Sequence, residues 1–227
     1  EMIYRGEVPE GYKKTKVGII PEEWEVKRLG NVTESSQYGT SQSVNAKRGY
    51  PVLRMGNLKN GRIDIDDLVY IELSKKDFEH LKLKKDDLLI NRTNSYELVG
   101  KTSLFELDGE YVFASYIVRF RLKKDIVNPR FANYYMNLER TQRHLKTLAT
   151  KGVQQANLNP TVLKRFLMIL LPFSINEQQK IAQILSTWDQ AIELKEKLIE
   201  EKKEQKKGLM QKLLTGEVRL LGFDGEW

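Results

Sequence analysis

The stretch from Asn176 to Leu214 constrains this chain more than any other. It holds no Pro and a single Gly, Gly208, and it is crowded with Glu, Lys and Gln, which propagate helix readily. Its apolar residues recur at helical spacing. One helix is expected, about 58 Å long, which exceeds what a domain of this size needs for its own core. Ile181, Ile184, Leu185, Trp188, Ile192, Leu198, Ile199, Leu209 and Leu213 mark a seam close to the roughly 3.5-residue coiled-coil repeat. Lys195, Lys202 and Gln205 interrupt it. Folding back onto its own domain would hide part of such a stripe. The stripe nevertheless runs for roughly eight or nine turns, more than a small domain covers. A partner helix is the better expectation, with the polar seam positions fixing register in an antiparallel or heterotypic bundle.

This divides the chain into a globular part, residues 1–175, and a helix with its tail, residues 176–227. Charge follows the same division. From Asn176 onward nine basic residues meet ten acidic ones, so the net +7 of the chain sits entirely, as +8, on the globular part. That excess favours a polyanion such as nucleic acid. There is no Cys, and the two His, His80 and His144, are too few for a His-rich zinc site. No metal site is expected. No apolar run approaches the ~18 residues of a membrane span, and the first residues lack the apolar core of a signal peptide, so a cytoplasmic location is expected.

Along the globular part, residues 1–16 are polar and extended, and Trp24, Val26, Leu29 and Val32 begin a core. Thr33 to Gly49 reads as a long polar surface loop. Strands are expected at Tyr50–Met55, Asp87–Asn91 and Val99–Leu107, with a turn at Asn60-Gly61. A further strand, Tyr111–Leu122, would place Val112, Ala114, Tyr116, Val118 and Phe120 on one face. Asn128-Pro129 opens an amphipathic helix over 129–149, and its apolar residues, Leu138 among them, are expected in the core. Asn159-Pro160 opens another helix, Phe166–Leu171 is a buried strand, and Ser174 with Glu177 has capping-box spacing ahead of the long helix. The fold class is α+β: a mixed, mainly antiparallel β-rich domain with flanking helices, followed by one long coiled-coil-forming helix.

Catalytic motifs fail in context. Val99-Gly100-Lys101-Thr102 contains the Gly-Lys-Thr of a phosphate loop, but Ser95 stands where the earlier Gly is required, and the context is strand to strand. No G-x-G-x-x-G follows a strand. Glu193-x-Lys195 lies among the alternating charges of the helix. No catalytic residue is assigned. What remains is a set of polar loops on a basic domain. Tyr38, Thr40, Ser41 and Gln42 form one; Arg54, Asn57 and Lys59 a second; Asn91, Arg92, Thr93, Asn94 and Ser95 a third; Lys151, Gln154 and Gln155 a fourth. Arg can pair with guanine through two donors, and Asn or Gln with adenine by donating and accepting together. Lys and Ser suit phosphates, which position without specifying. Each loop also reads as an ordinary solvated turn.

Several segments together resemble the specificity subunit of type I restriction-modification systems. They are Gly18–Gly30 with Pro21, Trp24 and Leu29; Leu89-Ile90-Asn91-Arg92-Thr93 ahead of Val99-Gly100-Lys101-Thr102; Phe113-Ala114-Ser115-Tyr116; Gly152–Asn159; Leu171 to Ala182; and Lys207 to Gly216. The resemblance implies a target-recognition domain that reads double-stranded DNA at a bipartite site, followed by a long helix. It also implies docking of methyltransferase subunits and, in the full complex, of a motor-nuclease subunit. S-adenosylmethionine, ATP and Mg then belong to those partners, and this chain is non-catalytic. The family pattern has two recognition domains and two helices where this chain has one of each, a half-length form. A second Pro is common where Phe173 follows Pro172. Leu221 to Trp227 loosely echoes Ile20 to Trp24, as if a second repeat were beginning. A natural half-subunit would pair with a second copy of itself through the helices and meet two inverted half-sites. The alternative is a coiled-coil assembly protein whose basic domain binds DNA or RNA nonspecifically.

Overall fold

The computed structural model describes residues 8–44, 46, 48–152, 155–223 and 225. Near the start, β1 (Tyr12–Thr15) and β2 (Gly18–Pro21) pair as an antiparallel hairpin, so part of the extended segment is a ladder. β3 (Glu25–Arg28) leads into the single turn α1 (Leu29–Val32), whose Leu29 and Val32 are buried. The polar stretch that follows begins as β4 (Thr33–Tyr38), which corrects the loop expected over 33–49. β4 is an edge strand, bonded to a neighbour on one side only. Its outward side chains can therefore stay polar, and alternation is too weak to announce it.

β5 (Tyr50–Leu53) is followed by the hairpin of β6 (Leu58–Lys59) and β7 (Arg62–Ile63), which turns at Asn60-Gly61. Both turn residues have positive φ, 49° and 82°, as a two-residue hairpin of this type requires. β8 (Val69–Ile71) and the short helix α2 (Lys75–Leu81) come next. β9 (Leu88–Asn91), β10 (Thr93–Asn94) and β11 (Thr102–Leu104) then follow. Turns occupy the chain between Tyr96 and Gly100, so the strand expected from Val99 shrinks to three residues. The single strand expected over 111–122 is two. β12 (Val112–Phe113) runs parallel to β5, the chain bends at Ala114–Tyr116, and β13 (Ile117–Leu122) enters a different sheet. The bend turns Tyr116 out to solvent and away from the face expected for it.

The central antiparallel sheet has the order β11-β9-β13-β4 and is buried on both faces along β13. Val118, Phe120 and Leu122 face the largest apolar cluster, and Ile117 faces a second with Leu53, Leu89, Phe105 and Phe113. Arg119 is buried on that second face. It donates to the Lys82 carbonyl at 2.7 Å and to Gln37 Oε1 of β4, and lies 3.8 Å from Asp87, which also takes a 2.9 Å bond from Arg121. Burial pulls the Arg119 pKa down, and the Asp87 charge opposes that shift.

Two helices stand where one was expected over 129–149: α3 (Pro129–Asn137) and α4 (Glu139–Thr147). At Leu138 the backbone is non-helical, with ψ 137°, and its side chain is exposed, so Leu138 is no core residue. Asn137 Nδ2 donates to the Thr102 carbonyl at 3.1 Å across to β11, and Gln142 Nε2 donates to the Met136 carbonyl at 2.8 Å, which satisfies one of the carbonyls left at the end of α3. Asn128 and Asn159 cap α3 and α5 (Pro160–Phe166) through their side chains, each ahead of a Pro. Between α4 and α5, β14 (Thr150–Lys151) and β15 (Ala156–Asn157) form an antiparallel pair. β16 (Met168–Leu171) pairs with β3.

The long helix is α6 (Ile175–Leu214), 40 residues in one piece. Its expected capping box does not form. Ser174 Oγ accepts from Asn176 N at 3.1 Å, while Glu177 Oε1 takes a 3.3 Å bond from Trp24 Nε1. Gln178 is buried and holds Asn128 N, the Ile126 carbonyl and the Pro172 carbonyl at 2.9–3.2 Å. The chain divides into two units, up to Ala182 and from Gln183 onward. Ile181 falls in the first and packs against its core, which removes it from the expected pairing seam. Within the second unit Ile184, Leu185, Trp188, Ile192, Leu198, Ile199 and Leu209 are all exposed, Trp188 at 67 %, and Leu213 is half-buried. Among the described residues no helix is long and apolar enough to cross a membrane.

Candidate nucleic-acid interface

Three of the four polar loops meet where the central sheet ends. β9 stops at Asn91, and two residues on, β10 pairs with β15, which pairs in turn with β14. Thr93 and Asn94 of one loop and Lys151 of another are thereby rungs of one small sheet. Arg92 joins it to the rest: its N donates to the Tyr116 carbonyl at 2.8 Å, and its carbonyl accepts from Leu158 N at 2.7 Å. The end of β4 arrives from the other side. Thr40 N donates to the Phe113 carbonyl at 2.8 Å, and Ser115 N to the Thr40 carbonyl at 2.7 Å. Gly39 permits this approach, since a Cβ there would collide with the Phe113 and Ala114 carbonyl oxygens.

The Arg92 guanidinium sits at the junction. One terminal nitrogen donates to the Ser115 carbonyl at 3.2 Å and the other to Asn157 Oδ1 at 3.0 Å. The group lies 4.8 Å from the centroid of the Tyr38 ring, and its buried Nε has no partner. Two of the five guanidinium N–H groups are thus used to fix it, and a fixed cation with donors left over suits an anionic or carbonyl-rich ligand. Nearby, Lys151 Nζ lies 4.1 Å from the Tyr96 ring centroid. Tyr38 and Tyr116 are exposed, at 47 % and 44 %. Ser41, Gln42, Lys151 and Gln155 are exposed, while Asn94 and Ser95 are half-buried, with Asn94 Oδ1 accepting from Ser95 N at 2.8 Å. Gln154 lies outside the described residues.

Three other positions in these loops point inward. Thr40 and Thr93 are buried, and Asn91 is fully so, its Nδ2 donating to the Leu98 carbonyl at 3.4 Å. They shape the loops and cannot present an edge to a base. This corrects their assignment as contact residues.

The loop of Arg54, Asn57 and Lys59 differs in kind. Asn57 is buried, with Oδ1 accepting from Arg54 N at 2.7 Å and Nδ2 donating to the carbonyls of Asp64 and Asp67 at 2.9 and 3.1 Å. Its amide is consumed by backbone, so Asn57 is corrected from reader to scaffold. Arg54 is paired with Asp67 at 2.7 Å and Lys59 with Asp64. The open hollow between them, about 370 Å³, is lined by Asp64, Asp66 and Asp67 as well as by the two cations. Three carboxylates against two cations give this hollow a net negative lining, which disfavours a phosphate chain there.

Sequence reasoning passed over Ser115, Tyr116, Asn157 and Gly39 as site residues. Tyr116 was concealed by an apparent strand alternation, and only the bend after Phe113 exposes it. No group of three or more His, Cys, Asp or Glu among the described residues could hold a metal ion.

Residues 21–204 match the family model described as the type I restriction modification DNA specificity domain. The putative type I restriction enzyme MjaX specificity subunit of Methanocaldococcus jannaschii is 34 % identical over 209 residues, 91 % of this chain and 49 % of that protein. The MjaVIII specificity subunit of the same organism is 29 % identical over 215 residues, 92 % of this chain and 49 % of that protein. The chain therefore spans about half the length of these curated relatives. Among solved structures, the type I restriction-modification S subunit from M. genitalium superposes with a TM-score of 0.58 at 20 % identity, over 83 % of this chain and 45 % of that one. The HsdS subunit from Thermoanaerobacter tengcongensis gives 0.56 at 17 % identity, over 83 % and 43 %. These two likenesses support the fold.

Proposed function

Because the chain belongs to the family of type I restriction modification DNA specificity domains, we propose that it reads one half of a bipartite double-stranded DNA target and has no catalytic activity of its own. The observation that carries this reading is the junction at Arg92, where a fixed guanidinium, two exposed tyrosines, Lys151 and the amides of Gln42 and Gln155 share one end of the sheet. Lys151 and Ser41 would hold phosphates and set register. Arg92, Gln42 and Gln155 would address base edges, and Tyr38 and Tyr116 would pack on sugars or bases.

The exposed stripe from Ile184 to Leu209 supports pairing with the same helix of a second copy, as a coiled coil holding two reading domains over inverted half-sites. The polar flank of α6 would dock methyltransferase subunits, which bring S-adenosylmethionine, with a motor-nuclease subunit adding ATP and Mg. The setting is cytoplasmic.

Selection from randomised duplexes, followed by titration of the selected and a scrambled duplex at one fixed salt concentration, tests the reading. A sequence reader recovers one motif and binds it at least about a hundredfold tighter than the scrambled duplex, within the usual range for specific sites. Equal affinities would leave the nonspecific assembly protein as the answer. In sedimentation at micromolar concentration the chain should run as a dimer and Trp188→Ala should shift it toward monomer, since a large exposed indole on the stripe is the natural anchor. A monomer at every concentration refutes the homodimer.

A further inference from the structure

A second concavity lies away from the Arg92 junction, between the β1–β2 turn, α3, α4 and the link from α5 to β16. It encloses about 420 Å³ and is lined by Lys16, Val17, Tyr135, Arg140, Thr141, His144, Phe166, Leu167 and Met168. That volume is in the range that takes a small organic molecule. Its chemistry is sorted by depth. Leu167, Tyr135 and Thr141 are buried at the floor, while Lys16, Arg140, His144 and Phe166 are exposed around the mouth. No carboxylate lines it.

Two details set this pocket apart from a surface dimple. Phe166 is 50 % exposed at the end of α5 although it could have been any polar residue there, and its ring carries a cation, Arg165, at 5.2 Å. Thr141 Oγ1 is buried, with the Tyr135 hydroxyl as its neighbouring polar group. The phenol beside it, Tyr135, has its pKa raised first by burial, so its hydroxyl stays neutral at the floor. Arg140 lies 5.8 Å from the Tyr135 ring, which places its positive charge above that floor.

We propose that this pocket binds a small aromatic anion, with the ring against Val17, Phe166, Leu167 and Met168 and the anionic group between Arg140 and Lys16. An apolar ring alone would leave the cations idle, and a bare phosphate or a DNA backbone would have no use for the floor. Ring and charge together match both halves of the lining.

The test is titration calorimetry of the whole chain with phenyl phosphate, alongside phenol and inorganic phosphate as its separate halves. Phenyl phosphate is expected to bind at least about tenfold tighter than either half. In heteronuclear spectra its shifts should gather at Val17, Thr141 and Met168. Arg140→Gln should cut the affinity about tenfold, and Phe166→Ala should reduce phenyl phosphate to the level of inorganic phosphate. Both side chains are exposed, so neither change threatens the fold. Both variants should keep full affinity for the selected DNA duplex. No preference over inorganic phosphate, no effect of Arg140→Gln, or a parallel loss of DNA binding, which would make these cations a phosphate grip, each overturns the proposal.

Discussion

Arg54-Met55-Gly56-Asn57 and Arg92-Thr93-Asn94 read alike as sequence, each an Arg followed closely by an amide in a polar loop, and the fold gives them opposite surroundings. Arg54 faces Asp67, with Asp64 and Asp66 beside it, and Asn57 is spent on three backbone groups. Arg92 faces a carbonyl, an amide oxygen and a tyrosine ring, with Lys151 in the adjoining strand pair. One arginine is neutralised where it stands, and the other is positioned with its charge unspent. Residue type selects candidates for nucleic-acid contact, but the sign of the neighbouring charges decides which of them can meet a polyanion.

The largest expected difference between the two regions is in DNA affinity. Arg92→Ala should weaken binding to the selected duplex by about 3 kcal/mol, because it removes the charge and also frees the Ser115 and Asn157 contacts that hold the loops together. Arg92→Lys should rescue little, since an ammonium cannot bridge two acceptors while stacking on Tyr38. Arg54→Ala should stay within about 0.5 kcal/mol of the parent, as an exposed paired cation does. Parallel titrations at one salt concentration check this, and comparable losses at Arg54 and Arg92 would break the comparison.

Stability should separate the regions in the reverse order. Asn57→Ala leaves the Arg54 N–H and two carbonyls without their partner in a buried turn, and should cost about 2 kcal/mol in urea unfolding with the affinity of the folded chain unchanged. Asn157→Ala should cost less stability and more affinity, because Asn157 is exposed and its side chain is tied to Arg92. If both variants lose stability and affinity in proportion, the Arg92 junction is simply a weak part of the fold.

How much of this was legible beforehand depended on whether the signal was local. The Asn128 and Asn159 caps, the Asn60-Gly61 hairpin and the unbroken run of α6 are written within a few residues of where they act, and the structure has all of them. β4 was missed because an edge strand needs no apolar alternation. The break at Leu138 leaves no Gly or Pro in the sequence to announce it, and the contact made beside it, from Asn137 to Thr102, spans 35 residues. The site shows the same limit. Four loops were chosen by composition, but Arg92 meets Ser115 and Asn157 only through strand pairings 23 and 65 residues distant. The acids that pair with Arg54 and Lys59 were in plain view at 67 and 64; what was missing was the fold that brings them onto those cations.

The smallest effect concerns the acid-lined region itself. The Asp64 carboxyl is held below the ordinary carboxylate range, first by the hydrogen bond from Lys59 and then by the Asp66 backbone N–H, which donates to it at 2.8 Å. A carboxyl depressed in the folded state stabilises the fold above its unfolded pKa, and that contribution is lost as pH falls through the folded value. Lys59→Ala should therefore move the Asp64 titration, followed by carboxyl carbon shifts, upward but not fully to the ordinary range, because the Asp66 N–H remains. Near neutral pH, where that contribution is fully present, melting should fall only slightly and DNA affinity should hold, since Lys59 is solvent-exposed. If DNA affinity instead falls about tenfold, a loss of about 1.4 kcal/mol, then Lys59 leaves Asp64 for a phosphate on binding. The neutralised loop would then rejoin the interface through exchange of partners, and the contrast with Arg92 would narrow to one between a cation already released and a cation released by DNA.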